Sequence, residues 1–331
     1  MWPWHRDRYK AGVSIPSDAG ALLNGDAVAR LLAGAMSRGE GACLLRYGDT
    51  GGRILARPET GTPAWAYLQA FLGRDITPDQ VDWLARRIEE SAMKADIVGL
   101  RSDLLGPLMP ESCPRLPDDQ IVAELVRLYP IRRYERGVLS PDDARRLAET
   151  RLAMQRFRFG EAAAMTNAWA HVDLAENGFI AALLNESRSV ALITSSDRKA
   201  VVARLNQKMG GRLRFYECPA YPRSESLHGG DHGFIWDRWQ MLLDKVAPAY
   251  PGEPLLISAG IWTKPIAIAF RQRGGVALDF GSVLDYFDAA ATRPAVLADR
   301  YGDAGSVPAG LTLDGQFRHG IGIERRHLAA D

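Results

Sequence analysis

Residues 257–288, ISAGIWTKPIAIAFRQRGGVALDFGSVLDYFD, decide how the rest of the chain reads. They spell the end of an apolar strand, a small-residue turn at Ser258-Ala259-Gly260, an amphipathic helix over 264–273, and a second strand over 276–280. A helix that carries the chain from one apolar strand to the next is the crossover of a parallel sheet. The same alternation is legible upstream. A helix over 26–37 feeds strand 42–46, a helix ending near 94 feeds strand 96–99, and strands follow at 190–194, 213–217 and 254–258 with helices between them. These strands are short, apolar and without polar alternation, as expected where both faces of a sheet are covered. The fold class is therefore α/β, Rossmann-like, with a mostly parallel sheet flanked by helices.

Local signals sharpen several boundaries. Thr77-Pro78-Asp79-Gln80 supplies an N-cap, a proline at the first helical position and a Gln three residues on, which opens a helix to about 94. Ser140-Pro141-Asp142-Asp143 opens another through about 157, with acids where the helix dipole favours them. A helix is expected over 173–184, another capped by Asp197 to about 208, and a third over 233–247. Four prolines between 107 and 117 make 101–117 a loop. The expected division is an N-terminal arm at 1–25, one α/β domain at 26–290 and a C-terminal tail or lid at 291–331.

Composition removes several classes of function. The 331 residues carry 47% apolar and 24% charged side chains, enough for a substantial core in a globular protein. The net charge of +1 advertises neither a nucleic-acid groove nor a basic membrane patch. No apolar run is long enough to span a bilayer, and MWPWHRDRYK lacks the apolar stretch of a signal peptide. Cys43, Cys113 and Cys218 are sparse and far apart, which fits a reducing compartment, so a cytoplasmic location is expected.

In open α/β sheets, ligands bind at the carboxyl ends of the strands. The chemistry-bearing residues there are Arg46 and Asp49 after the first strand, Ser258, Gly260 and Lys264 after the fifth, and Asp279, Ser282 and Asp285 after the sixth. Asp49 reads either as a ligand carboxylate in an acidic, glycine-rich turn or as a turn residue bonded to its own loop. Asp279 interrupts an apolar strand, and a buried carboxylate without a partner is costly. Lys264 is one of only six lysines and sits in a first helical turn, where the dipole disfavours a cation. Trp262 reads either as a stacking platform or as packing beneath a helix start. Thr194-Ser195-Ser196-Asp197 reads as helix capping or a phosphate contact. His228-Gly229-Gly230-Asp231-His232 carries metal-ligand residue types, but its glycines argue for a turn. His171 is either an orienting base or a packed imidazole. Neither a Walker A loop nor G-x-G-x-x-G is present.

The run Arg46-Tyr47-Gly48-Asp49-Thr50-Gly51 resembles the opening motif of glycosyltransferases of the GT-D fold, R-(F/Y)-G-D-G-E. VALDFGSVLDYF resembles that family's A-L-D-(I/F)-G-S pattern, Thr292-Arg293-Pro294 its downstream T-R-P, and the stretch around His171 its N-A-W-x-H. The resemblance spans about 26–294 and is loose between 101 and 188. It implies transfer of a sugar, as by a hexosyltransferase, from a nucleotide-diphosphate donor to a saccharide or glycoprotein acceptor in polysaccharide biosynthesis. Asp49, Asp279 and Asp285 would then be the catalytic candidates, and Arg46, Gly48, Ser258, Gly260, Lys264 and Ser282 would hold the donor. Asp49 would also hold Mn²⁺ or Mg²⁺. The chain departs from the motif where it matters for that ion, because Gly51 stands in place of the Glu of D-x-E. Three outcomes follow: another carboxylate completes the metal site, cations such as Arg53 replace the metal, or catalysis is lost. The last leaves a non-catalytic nucleotide- or glycan-binding protein of a polysaccharide assembly system. A Rossmann-like enzyme of other chemistry is disfavoured by the missing glycine fingerprint.

Overall fold

The computed structural model describes residues 22–47, 49–100, 109–128, 140–155, 158–195, 198–219, 235–281, 283–288 and 306–319. Helix α1 (Gly25–Arg38) leads into β1 (Ala42–Tyr47), followed by α2 (Asp49–Leu55), α3 (Pro63–Leu72), α4 (Pro78–Lys94) and β2 (Ile97–Leu100). Next come α5 (Asp118–Leu128), α6 (Pro141–Gln155), β3 (Ala164–Asn167), α7 (Ala170–Glu176) and α8 (Phe179–Glu186). Strand β4 (Val190–Ser195), α9 (Lys199–Lys208), β5 (Leu213–Cys218) and α10 (Ile235–Lys245) follow. The series closes with β6 (Pro254–Ile257), α11 (Thr263–Gln272), β7 (Val276–Asp279), α12 (Val283–Phe287) and α13 (Leu313–His319).

All seven strands are parallel, in the order β3-β2-β1-β7-β6-β4-β5. Successive side chains of a strand point to opposite faces, and here both faces are buried, which is why the strands read as continuous apolar runs. Cys43, Leu45 and Tyr47 of β1 pack with α2, α3, α4, α10 and α11. Ala42 and Leu44 pack on the other face with α1, α7, α8, α9, α12 and α13. Helices α5 and α6 enclose a smaller cluster around Cys113, Ile121 and Leu147.

Capping chemistry places α4 and α6 as the sequence predicts. The Thr77 hydroxyl accepts from Gln80 N, and the Gln80 side chain accepts from Thr77 N, completing the capping box. Ser140 accepts from Asp143 N at the start of α6. Three expectations are corrected. The RYGDTGG stretch is not a glycine-rich turn throughout, since Asp49 to Leu55 are helical and Gly51 and Gly52 lie inside α2. The helix expected over 173–184 is two helices, broken at Gly178, whose φ of 83° is open to glycine at little cost. Part of the expected tail is core, because Leu311 and Leu313 are buried against the α7–α8 face.

Connections leave the sheet in opposite directions around β7. The strands on either side of it, β1 and β6, feed helices on one face, whereas β7 feeds α12 on the other. Diverging connections open a crevice outside the strand ends. The carboxyl end of β7 is Asp279.

Candidate functional site

Asp279 ends a strand that is otherwise Val, Ala and Leu, and its carboxylate is 4% exposed. Burial at that point demands compensation, and three donors supply it. Nη2 of Arg46 donates to Oδ1 at 2.9 Å, Nζ of Lys264 to Oδ2 at 3.1 Å, and the Arg46 backbone N–H to Oδ2 at 3.3 Å. Arg46 comes from the end of β1 and Lys264 from the first turn of α11, so β1, β7 and α11 are joined at one point.

Arg46 is anchored on its other side as well. Its Nη1 donates to the Ala168 carbonyl at 3.1 Å and lies 2.9 Å from the ring nitrogens of His171. A guanidinium can only donate, so the facing imidazole nitrogen accepts through a lone pair. Trp169 stacks on the same ring at 5.8 Å. Two glycines make room for the guanidinium and its stem. Gly99 faces Arg46 across the β1–β2 pair, where a Cβ would stand 3.2 Å from Arg46 Cγ, and Gly281 lies beneath the guanidinium. Gly281 has a φ of 50°, and the Ser258 hydroxyl donates to its carbonyl at 2.9 Å.

Two cations surround one carboxylate, so the cluster carries one positive charge in excess. Burial pushes the Asp279 carboxyl up, but Arg46 and Lys264 outweigh it and hold the group below its usual value. Burial also pushes the Lys264 ammonium down, Arg46 adds to that, and Asp279 opposes both. A carboxylate with three donors and a lowered pKa is a weak proton acceptor at neutral pH. Lys264 also lies 5.8 Å from the centroid of the Tyr47 ring, close enough for a cation–π contact. The conflict between Lys264 and the dipole of α11 is thus offset by Asp279 and by this ring. The hydroxyl of Thr263, the first residue of α11, is buried and has no hydrogen-bond partner among the described residues, as does Nε of Arg46.

The other expected residues divide clearly. Ser258 and Gly260 follow β6 and so share the sheet edge with Arg46 and Asp279. Asp285 lies on α12 and pairs with Arg198 at 2.6 Å. Asp49 opens α2, and its side chain is outside the described residues, as are Gly48 and Ser282. Gly51 lies against the small-residue turn after β6, where a Cβ would meet Ile261 Cδ1 at 3.7 Å. Arg53 stacks over the Tyr67 ring at 3.8 Å. Trp262 is packing: it stacks on Trp239 at 5.0 Å and touches Trp83 and Trp236. His228, Asp231 and His232, Ser196 and Asp197, and Thr292-Arg293-Pro294 lie outside the described residues.

Among the described residues, the donor set fits a resident divalent cation poorly. Hard cations take several oxygen ligands, carboxylates above all. Asp279 is committed to Arg46 and Lys264, Asp285 to Arg198, and Gly51 brings no carboxylate. No cluster of three or more His, Cys, Asp or Glu suited to a metal occurs among the described residues.

Sequence reasoning missed Gly281, Gly99 and the Ala168 carbonyl as parts of the site. The glycines carry no chemistry of their own, and only the placement of Arg46 shows what they accommodate. A separate cleft of about 1040 Å³ opens between the ends of α2, α4 and α6. Its lining mixes Arg57, Arg146, Glu89 and Glu149 and includes none of the strand-end residues.

The sheet and its edge cluster define an α/β protein of Rossmann-like architecture. No family model matches the chain, and no curated protein matches it. Among solved structures, it is similar to one described as "The highly conserved domain of unknown function 1792 has a distinct glycosyltransferase fold", with 11% identity and a TM-score of 0.43. That likeness covers 93% of this chain and 92% of the other.

Proposed function

We propose that this chain transfers a hexosyl group from a nucleoside-diphosphate sugar to a hydroxyl of a saccharide or glycoprotein acceptor. The observation that carries this reading is the buried Arg46–Asp279–Lys264 cluster, with its excess positive charge, at the point where the sheet's connections diverge. The motif resemblance around Arg46 and Asp279 supports the same assignment. In the transfer, the bond from the donor's anomeric carbon to the diphosphate oxygen breaks, and its electron pair leaves on the diphosphate. The acceptor oxygen bonds to that carbon and its proton passes to a base. Departure of the diphosphate is the step that fixed positive charge assists most.

Arg46 and Lys264, with Ser258, Gly260, Gly48 and Ser282 around them, would receive the diphosphate. Asp279 would hold the two cations in register, and Asp49 or Asp285 would orient sugar hydroxyls or take the acceptor proton. Such work suits a cytoplasmic member of a polysaccharide-building system. The three free cysteines are buried, and no helix among the described residues is long and apolar enough to cross a membrane.

A second reading, a non-catalytic nucleotide- or glycan-binding protein, is favoured by one observation: Asp279 and Asp285 are both already paired with cations. Incubation with a panel of uridine-, guanosine- and thymidine-diphosphate sugars plus oligosaccharide acceptors separates the two. Acceptor-dependent release of nucleoside diphosphate supports the transferase. Saturable binding without release supports the binding protein, and neither result would remove both.

A further inference from the structure

Among the described residues, those that would surround a donor diphosphate are poor in free carboxylate and rich in fixed cation. Position 51, where a second metal carboxylate would be needed beside Asp49, is a buried glycine packed towards Ile261. Asp279 accepts from Arg46 and Lys264 at 2.9 and 3.1 Å, and Asp285 is paired with Arg198 at 2.6 Å. A divalent ion set among these groups would face two cations and would have to compete for a carboxylate already engaged by both.

The same groups are well disposed towards an anion. Lys264 lies in the first turn of the ten-residue helix α11. Thr263 begins that helix, and its buried hydroxyl has no partner among the described residues. Arg46 likewise leaves Nε buried and without a described partner, and its side chain keeps 17% of its surface exposed. Each is a polar group already desolvated with bonding capacity to spare, and phosphate oxygens accept from such donors.

We propose that this edge of the sheet is a metal-independent diphosphate clamp, in which Arg46 and Lys264, held in register by Asp279, supply the positive charge that a divalent cation would otherwise bring. The inference rests on the transferase reading for the nucleoside and sugar, but the clamp itself requires only the diphosphate. No bond is made or broken by it. Arg46 and Lys264 donate hydrogen bonds to the diphosphate oxygens and remain protonated, and the start of α11 adds the Thr263 hydroxyl.

Calorimetric titration of the full chain with uridine diphosphate and with inorganic pyrophosphate tests this, each in a chelator and again in excess Mn²⁺. The expected result is binding of both ligands in the chelator, with affinity changed by no more than about twofold on adding Mn²⁺. Lys264→Met should weaken both ligands by roughly tenfold or more, the worth of one charge-assisted hydrogen bond, while Lys264→Arg should retain most of the affinity. Because the metal comparison uses the unaltered protein, it stands even where Lys264→Met fails to fold. Binding that appears only with Mn²⁺ would overturn the clamp and leave the transferase reading intact. Pyrophosphate binding in chelator, with no preference for any nucleotide sugar, would support the clamp and count against that reading. Binding in chelator that a folded Lys264→Met variant leaves unchanged overturns the assignment to this site, and no binding under either condition overturns both.

Discussion

A Cβ placed on Gly281 would stand 2.8 Å from Cζ of Arg46 and closer still to its Nη2. The glycine that follows β7 thus leaves the volume into which the arginine ending β1 extends, across 235 positions of sequence. The positive φ of Gly281 reinforces the requirement, since a side chain there would be strained even with space available.

Gly281→Ala should therefore displace the guanidinium from Asp279. The left-handed backbone and the clash together should cost about 1–3 kcal/mol. Urea unfolding would measure the loss, and titration with uridine diphosphate should show weaker binding at temperatures where the variant remains folded. Unchanged stability and affinity would mean that Arg46 can be seated elsewhere without consequence.

Asp279→Asn removes the anion that Arg46 and Lys264 share. Breaking one partner of a buried ion pair costs about 3–5 kcal/mol, and the low exposure of Lys264 and Asp279 places this site in that class. The pH dependence has a definite sign. The folded-state pKa of Asp279 is lowered, so its contribution to stability is present above the unfolded value of 3.8 and is lost as pH falls through the folded value. Acid unfolding curves should show the unaltered protein losing stability below about pH 4, with a shallower loss in the variant. Parallel curves would separate Asp279 from the acid transition.

Thiol titration offers a check on the core. Burial, with the charge of Asp96 adding to it, pushes the Cys43 thiol up to about 12, and burial also raises that of Cys113. Since the thiolate is the reactive form, none of the three buried cysteines should react rapidly with an aromatic disulfide reagent in the native protein. All three should react in denaturant. A fast-reacting native thiol would contradict the packing around it.

Gly51 lies within α2, and a Cβ there makes only ordinary contact with Ile261. Gly51→Ala should then stabilise the protein by about 0.5–1 kcal/mol through helix propensity. Gly51→Glu should create a carboxylate pair with Asp49 and raise Mn²⁺ affinity, read by titration with and without uridine diphosphate. Equal Mn²⁺ affinity in the two proteins would show that this helix start no longer faces the donor.

Much of the architecture was legible because its signals are local. The capping box at Thr77 and Gln80, Ser140 before α6, and the apolar run before Asp279 each report on a few neighbouring residues. The four-residue strand Ala164–Asn167 and helix Asp118–Leu128 were missed. The first ends in two polar residues and owes its place to pairing with β2, and the second follows a proline-rich stretch that reads as loop. In the site, Asp279 could be seen to need a partner, but Arg46 and Lys264 could not be identified as that partner. One is supplied by strand pairing and the other by a crossover, and neither has a sequence signature. The break at Gly178 was also hidden, since a lone glycine in an apolar helix often passes without interruption.

The strand order has a consequence for how the molecule is made. β7 is last to leave the ribosome, yet it lies in the middle of the sheet between β1 and β6. Until residue 279 has emerged, the nascent chain can form only two partial sheets, β3-β2-β1 and β6-β4-β5. Each then presents an open edge of apolar strand to the cell, a template for association with other chains. Insertion of β7 seals both edges in one event and delivers Asp279 to Arg46 in the same motion. The finished charge cluster is therefore a marker of the sealed sheet, and a chain stopped before β7 should be a substrate for chaperones rather than a weakened version of the protein.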